Sequence, residues 1–260
     1  MSRPLVLLSN DDGFASLGLR ELRLAFQPHA DVVVAAPETE QSAASHALTL
    51  HRPLRTRAVE EGVFAVDGTP ADCVYIALHS GTVLPRMPDL VVSGVNHGPN
   101  LGQDVFYSGT VAAAREGALR GIPALAVSAH PKADFAAAAR LAAQLSLLLL
   151  KTGPASSAKA APKDRAWAPL LNLNVPKGHT GELVGTRLGA RYYDEVVDVR
   201  TDPRGRDYSW IGGPGVFHDE TPGTDTAAYH EGKASLSALI LDLSNLAGAP
   251  LVEAILRALP

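Results

Sequence analysis

The chain has 260 residues, of which 46% are hydrophobic and 19% charged, and a formal net charge of -4. That length accommodates one large α/β domain with a substantial core, and the charge balance supplies no field for nonspecific binding to a nucleic-acid polymer. A single cysteine, Cys73, excludes an intrachain disulfide framework and a thiolate zinc cluster, and fits a reducing cytoplasm.

Met1-Ser2-Arg3-Pro4 leads directly into the apolar run Leu5 to Leu8, read as a buried first strand without the pattern of a signal peptide. The run ends in Ser9-Asn10-Asp11-Asp12-Gly13. Two adjacent carboxylates at a strand end suit a hard cation, because Gly13 lets the turning backbone aim both at one point. The same residues also suit a polar turn in which an aspartate caps the next helix.

A helix over 19–26 and a second strand over 32–36 come next, and the strand runs into Ala36-Pro37-Glu38-Thr39-Glu40-Gln41-Ser42-Ala43. The Ser42 hydroxyl is a neutral oxygen donor of the kind Mg²⁺ or Mn²⁺ accepts beside carboxylates, or else a helix N-cap. After a helix over 71–79, a third strand over 90–92 leads into Ser93-Gly94-Val95-Asn96-His97-Gly98-Pro99-Asn100-Leu101-Gly102. Its glycines let backbone amides approach an anion and Asn96 offers a carbonyl to a metal, although a turn uses the same residues. Tyr107-Ser108-Gly109-Thr110 then opens a helix over 111–120, where free amides, two hydroxyls and the helix dipole make a phosphate cradle. A plain serine cap is the other reading.

A strand over 124–127 and a helix over 135–150 follow. The apolar part of that helix, 141–150, is too short to span a bilayer and reads as packed against a core. Residues 152–165 are small, polar and proline-punctuated, as in a surface loop. A strand is expected over 170–175, a projecting hairpin over 192–210 around Asp202-Pro203-Arg204-Gly205, a strand over 236–243 and a helix over 250–259. The hairpin suits self-association or a lid. The strand–helix alternation predicts a mostly parallel sheet covered on both faces, with the polar clusters gathered on its carboxyl rim.

Several chemistries lack their signatures. There is no G-x-G-x-x-G after the first strand, no G-x-x-x-x-G-K-[ST] and no G-x-S-x-G, which removes the main support for dinucleotide, P-loop and serine-hydrolase readings. His46, His79 and His97 lack the paired spacing of a zinc-protease helix and read as surface or core residues. A phosphorylatable receiver module would need a third aspartate after a central strand and a lysine after a later one. Ser93-Gly94 and Ser128-Ala129-His130 stand there instead.

Taken together, Asn10-Asp11-Asp12-Gly13, Ala36-Pro37 with Gln41-Ser42, Gly68-Thr69-Pro70-Ala71-Asp72-Cys73-Val74, Ser93-Gly94-Val95-Asn96 with Gly98-Pro99-Asn100, and Ser108-Gly109-Thr110-Val111 closely resemble the SurE family of survival-protein nucleotidases. A looser match continues through Asn172-Leu173-Asn174-Val175-Pro176 and Thr224-Asp225. Ser9 stands where the family commonly has threonine, and 231–239 follow the family pattern only loosely.

The resemblance implies a Rossmann-like three-layer α/β/α catalytic core over 1–180. It also implies a C-terminal portion over 181–260 that carries the hairpin, completes the sheet and mediates oligomerisation. It implies a divalent-metal-dependent phosphomonoesterase acting on nucleoside 5′-monophosphates, with 3′-monophosphates and short polyphosphate as additional candidate substrates. Asp11, Asp12, Ser42 and Asn96 would hold one Mg²⁺ or Mn²⁺ per subunit, with Asp11 and Asp12 catalytic, and Asn10, Gly94, Asn100, Ser108, Gly109 and Thr110 would line the phosphate end. A cytoplasmic homodimer or homotetramer, with no membrane partner, is expected. A noncatalytic, metal-dependent nucleotide-binding protein is the alternative.

Overall fold

The computed structural model describes residues 3–154, 156, 166–194, 196–212 and 215–259. Most of the loop expected at 152–165 therefore lies outside the described residues. The first strand, β1 (Leu5–Ser9), is buried along its whole length, as a continuous apolar run must be when a parallel sheet is covered on both faces. It pairs in parallel with β2 (Asp31–Pro37) on one side and β5 (Leu90–His97) on the other. Outside β2 lie β4 (Val63–Val66), parallel to it, and β3 (Thr56–Glu60), antiparallel to β4. Beyond β5 come the parallel strands β6 (Ala124–Ala129) and β7 (Leu170–Val175). Then β13 (Ala234–Leu239) runs antiparallel to β7, with β8 (Leu183–Thr186) at the edge. The nine-stranded order is β3-β4-β2-β1-β5-β6-β7-β13-β8.

Helices cover both faces. On one, α1 (Leu17–Phe26) and α4 (Phe135–Thr152) close a core containing Leu22, Phe26, Val92 and Ala139. On the other, α2 (Pro70–His79) and α3 (Gly109–Leu119) close a core containing Leu7, Val74, Val91 and Val111. Local sequence dictates where these helices begin. Thr69 and Asp72 form a reciprocal capping box ahead of Pro70, with bonds of 3.1 and 3.0 Å, and Ser16, Ser108 and Asp134 are side-chain N-caps. The 18-residue α4 is long and apolar enough by length and composition to cross a membrane. Here its Ala138, Ala139, Ala142 and Ala143 lie buried in the core shared with α1.

The expected hairpin forms from β10 (Val197–Thr201) and β11 (Asp207–Ile211), with Asp202 accepting from the Arg204 and Arg206 amides at 2.8 and 2.9 Å. A second ribbon pairs β9 (Arg191–Tyr193) with β12 (Val216–His218). The chain ends in α5 (Asp225–His230) and α6 (Ala249–Arg257). Asp225 accepts from the amides of Gly102, Gly189 and Thr226, so it ties the C-terminal region to the loop after β5.

Two expectations need correction. β13 begins at Ala234 and stops at Leu239, because its partner β7 ends and the following side chains, such as Ile240 and Leu243, face solvent. β5 runs on to His97, because β6 continues to pair with it through Asn96↔Ser128 and His97↔Ala129 past a register shift. Gly94 and Asn96 thus sit within a strand, where the sequence suggested a turn.

Candidate metal and phosphate site

Strand order reverses at β1, whose neighbours β2 and β5 lead away in opposite directions. Open α/β sheets form their ligand crevice at the carboxyl ends of such a switch point. A cleft of about 1270 Å³ opens there, lined among others by Asp11, Asp12, Glu40, Ser42, Asn96, Asn100 and Ser108. The strand topology therefore brings together the four proposed metal ligands, Asn100 and Ser108.

Asp11 is 6% exposed, and the Thr110 hydroxyl donates to its Oδ1. Burial raises its pKa above the usual carboxylate value, against the opposing pull of that hydrogen bond. Asp12 accepts from the His97 amide at 3.2 Å. Burial, and then the neighbouring Asp11 charge, push its pKa up to about 6. Two carboxylates forced together in a poorly solvated place are each harder to ionise, and a bound cation reverses that penalty.

The remaining donors suit a hard cation. Ser42 lines the cleft and donates its hydroxyl proton to Glu40 Oε1 at 2.6 Å, which leaves the Oγ lone pairs uncommitted by that bond. Asn96 Nδ2 donates to Gly98 O at 2.8 Å, which fixes the amide with Oδ1 as its open end. Carboxylate, hydroxyl and amide oxygens are ligands for Mg²⁺ or Mn²⁺. No cluster of three or more His, Cys, Asp or Glu side chains occurs among the described residues, so a histidine-rich zinc centre has no counterpart there. With Asp12 as a ligand, as expected from the resemblance, a proton and the cation would compete for it, and Mn²⁺ affinity should fall as pH drops below about 6, approaching tenfold per unit. An isotherm series between pH 5 and 7.5 measures this, and a flat profile would contradict it.

The phosphate-end residues divide by what they touch. Asn100 lines the cleft and is held on several sides. Its amide donates to Asn174 Oδ1 at 2.8 Å, its carbonyl accepts from Asn172 and Asn174 at 2.9 and 3.0 Å, and its Nδ2 donates to Ser128 Oγ at 2.8 Å. Ser108 lines the cleft and caps α3 through Val111 N at 3.0 Å. Gly109 packs so closely that an added Cβ would stand 2.8 Å from Asp11 Cβ. Gly109→Ala should therefore displace Asp11 and cost about tenfold to a hundredfold in turnover with the fold retained, which steady-state kinetics beside a thermal melt will check.

Thr110, Asn10 and Gly94 are not among the residues that line the cleft. Thr110 is fully buried and spends its hydroxyl on Asp11. Asn10 is also fully buried, and its amide clamps the turn through Gly13 O and Ser16 Oγ at 3.0 and 2.7 Å. Gly94 lies inside β5 against the β6 backbone. Sequence reasoning placed Asn172 and Asn174 in the looser family match but gave them no site role, although their i, i+2 spacing on a buried strand was an available signal. It missed a distal wall in which Tyr193 Oη donates to Asp104 Oδ1 at 2.7 Å and Arg191 pairs with the same carboxylate. No motif marked that wall. His97, read as a surface or core residue, lines the cleft and stacks on Phe135 with ring centroids 5.8 Å apart.

Comparison with known proteins adds independent findings. A family model described as "Survival protein SurE" matches residues 6–195. The chain is 58% identical over 242 residues to the 5′-nucleotidase SurE of Sorangium cellulosum (strain So ce56), covering 93% of this chain and 91% of that protein. It is 47% identical over 244 residues to the 5′-nucleotidase SurE of Myxococcus xanthus (strain DK1622), covering 92% and 88%. The crystal structure of the SurE protein from Aquifex aeolicus superimposes with a TM-score of 0.77 at 35% identity, covering 97% of this chain and 99% of that one.

Proposed function

The chain belongs to the SurE survival-protein family, and from that membership we infer that it is a 5′-nucleotidase, hydrolysing nucleoside 5′-monophosphates to nucleoside and phosphate. The observation that carries this reading is the convergence of Asp11 and Asp12 with the N-terminus of α3 at one cleft. Asp11, Asp12, Ser42 and Asn96 would hold one divalent cation per subunit, Mg²⁺ or Mn²⁺. When bound, that cation neutralises phosphoryl charge and lowers the pKa of a water.

The residues of the chain do the rest. Amides at the start of α3 and the Asn100 side chain bind and orient the phosphoryl oxygens, and the helix dipole favours the negative charge there. Thr110 holds Asp11 in one rotamer, and the His97 amide does the same for Asp12. Direct attack by water fits the burial of Asp11 and the commitment of its Oδ1 to Thr110. Borohydride reduction during turnover separates this route from an aspartyl-phosphate, which would be trapped as a homoserine at position 11, whereas direct water attack leaves Asp11 unmodified.

The distal part of the cleft, with exposed Tyr107 and Tyr192, gives the nucleoside aromatic faces to lie on. Its volume supports 3′-monophosphates and short polyphosphate as further substrates. Residues 181–260 carry exposed apolar side chains on the hairpin, including Val197 and the opposing Ile211, and on α6, including Leu251, Ile255 and Leu256. Such surface favours burial against a second copy, so a homodimer or homotetramer is proposed, located in the cytoplasm. A light-scattering mass equal to one 27.2 kDa chain would count against it.

Phosphate release from a panel of 5′- and 3′-monophosphates and tripolyphosphate tests the activity. The 5′-monophosphates should release phosphate. Binding across the panel without release would establish a noncatalytic nucleotide-binding protein instead.

A further inference from the structure

The loop after β2 that carries Ser42 has little to hold it in place by packing. No residue from 41 to 50 is buried, so hydrophobic burial contributes little there and the loop depends on specific bonds. Its backbone is also strained. Ala43 and Ser45 take φ values of 57° and 53°, the left-handed region that side chains with a Cβ avoid. Such conformations persist only where surrounding structure enforces them, and they concentrate at functional sites.

The enforcing contacts come from Asp11, from the residues just before α3 and from α3 itself. Gln41 N donates to Asp11 O at 2.8 Å at the start of the loop. Ser45 N donates to Tyr107 O at 3.0 Å, and its hydroxyl donates to Phe106 O at 2.6 Å, directly before Ser108. His46 Nε2 meets Glu116 Oε2 at 2.9 Å, two turns along α3. Glu116 is 1% exposed, and its other oxygen accepts from Arg120 Nε and Nη2 at 2.8 and 2.7 Å. Arg120 satisfies only Oε1, so the buried Oε2 depends on His46 for a partner.

We propose that the His46–Glu116 contact, with the Ser45 bonds to Phe106 and Tyr107, is a strap that positions Ser42 for the cation and sets its distance from the α3 cradle. His46 and Glu116 are positioning residues that act through Ser42 and touch neither cation nor substrate. The inference rests on Ser42 being a cation ligand, as proposed above. It predicts that metal affinity depends on a side chain on the far side of the loop, which no ligand list contains.

Mn²⁺ binding, read from the electron paramagnetic resonance signal of free Mn²⁺ with no substrate present, tests it on the full-length chain. His46→Ala should weaken Mn²⁺ about tenfold, and His46→Gln, which restores a donor at the Nε2 position, should recover most of the loss. Ser42→Ala should weaken binding at least as much. Unchanged Mn²⁺ affinity in His46→Ala beside a weakened Ser42→Ala overturns the strap. Unchanged affinity in both variants overturns it through the assignment of Ser42 as a ligand. A loss in His46→Ala that His46→Gln fails to recover also overturns the strap, because the donor would then be irrelevant.

Discussion

Asp11→Asn is expected to lower nucleotide turnover at saturating Mn²⁺ by about 10³-fold or more, the scale of losing a central electrostatic contact, while the fold survives. Asparagine keeps the shape of the side chain, and the Thr110 hydroxyl can still donate to its carbonyl oxygen. What disappears is the negative charge proposed to pair with a cation beside Asp12. The same substitution should stabilise the metal-free protein. Burial raises the Asp11 pKa in the folded state, so any stability linked to its bound proton is complete below the unfolded value of 3.8 and is lost as pH rises through the raised folded value. At neutral pH the wild-type fold carries that penalty and the amide does not. Thermal melts in chelator at pH 7.5 should place the variant above wild type. A lower melting temperature, or near-wild-type turnover at saturating metal, would contradict the assignment.

Gly94→Ala is expected to destabilise the protein by about 3 kcal/mol or more, lowering the melting temperature by about 6–12 °C for a chain of this size. Gly94 has φ of 136°, a region closed to residues with a Cβ, and an added Cβ would overlap the Val127 carbonyl oxygen of the adjoining strand β6. The nearest atoms are the Val127 carbonyl group and Cβ, none of which is the far end of a flexible side chain that could move aside. The effect should appear equally with and without phosphate, which distinguishes a packing requirement from a ligand contact. A melt within 1–2 °C of wild type, well below the few kilocalories such strain carries, would return Gly94 to the phosphate site.

Sequence pattern was most legible where burial was complete. The apolar runs of β1, β2 and β6 admit few readings, because a central parallel strand must be apolar on both faces. The edge was opaque for the opposite reason. β3 reads Thr56-Arg57-Ala58-Val59-Glu60 and every residue is exposed, so no face selects a period. β8, β9 and β12 are three or four residues long, too short for periodicity to register.

The site divides along a similar line. Asp11, Asp12 and Asn96 reach one cleft because strand ends and a switch point oblige polar residues to gather there, but the pattern alone left a polar turn as the other reading. The roles of Thr110 and Asn10 were not, because a hydroxyl or amide beside a proposed phosphate pocket looks the same whether it faces the ligand or clamps the backbone. The distal wall of Asp104, Arg191 and Tyr193 joins residues 87 and 89 positions apart, and only tertiary folding brings them together.

Asp11 and Asp12 are proposed to form a divalent-cation site that drives phosphate release from a nucleoside 5′-monophosphate. The most direct test is phosphate release from AMP by chelator-stripped protein as Mn²⁺ is titrated back. No turnover is expected in chelator, with recovery that saturates near one Mn²⁺ per chain. Full turnover by the stripped protein in excess chelator would contradict it.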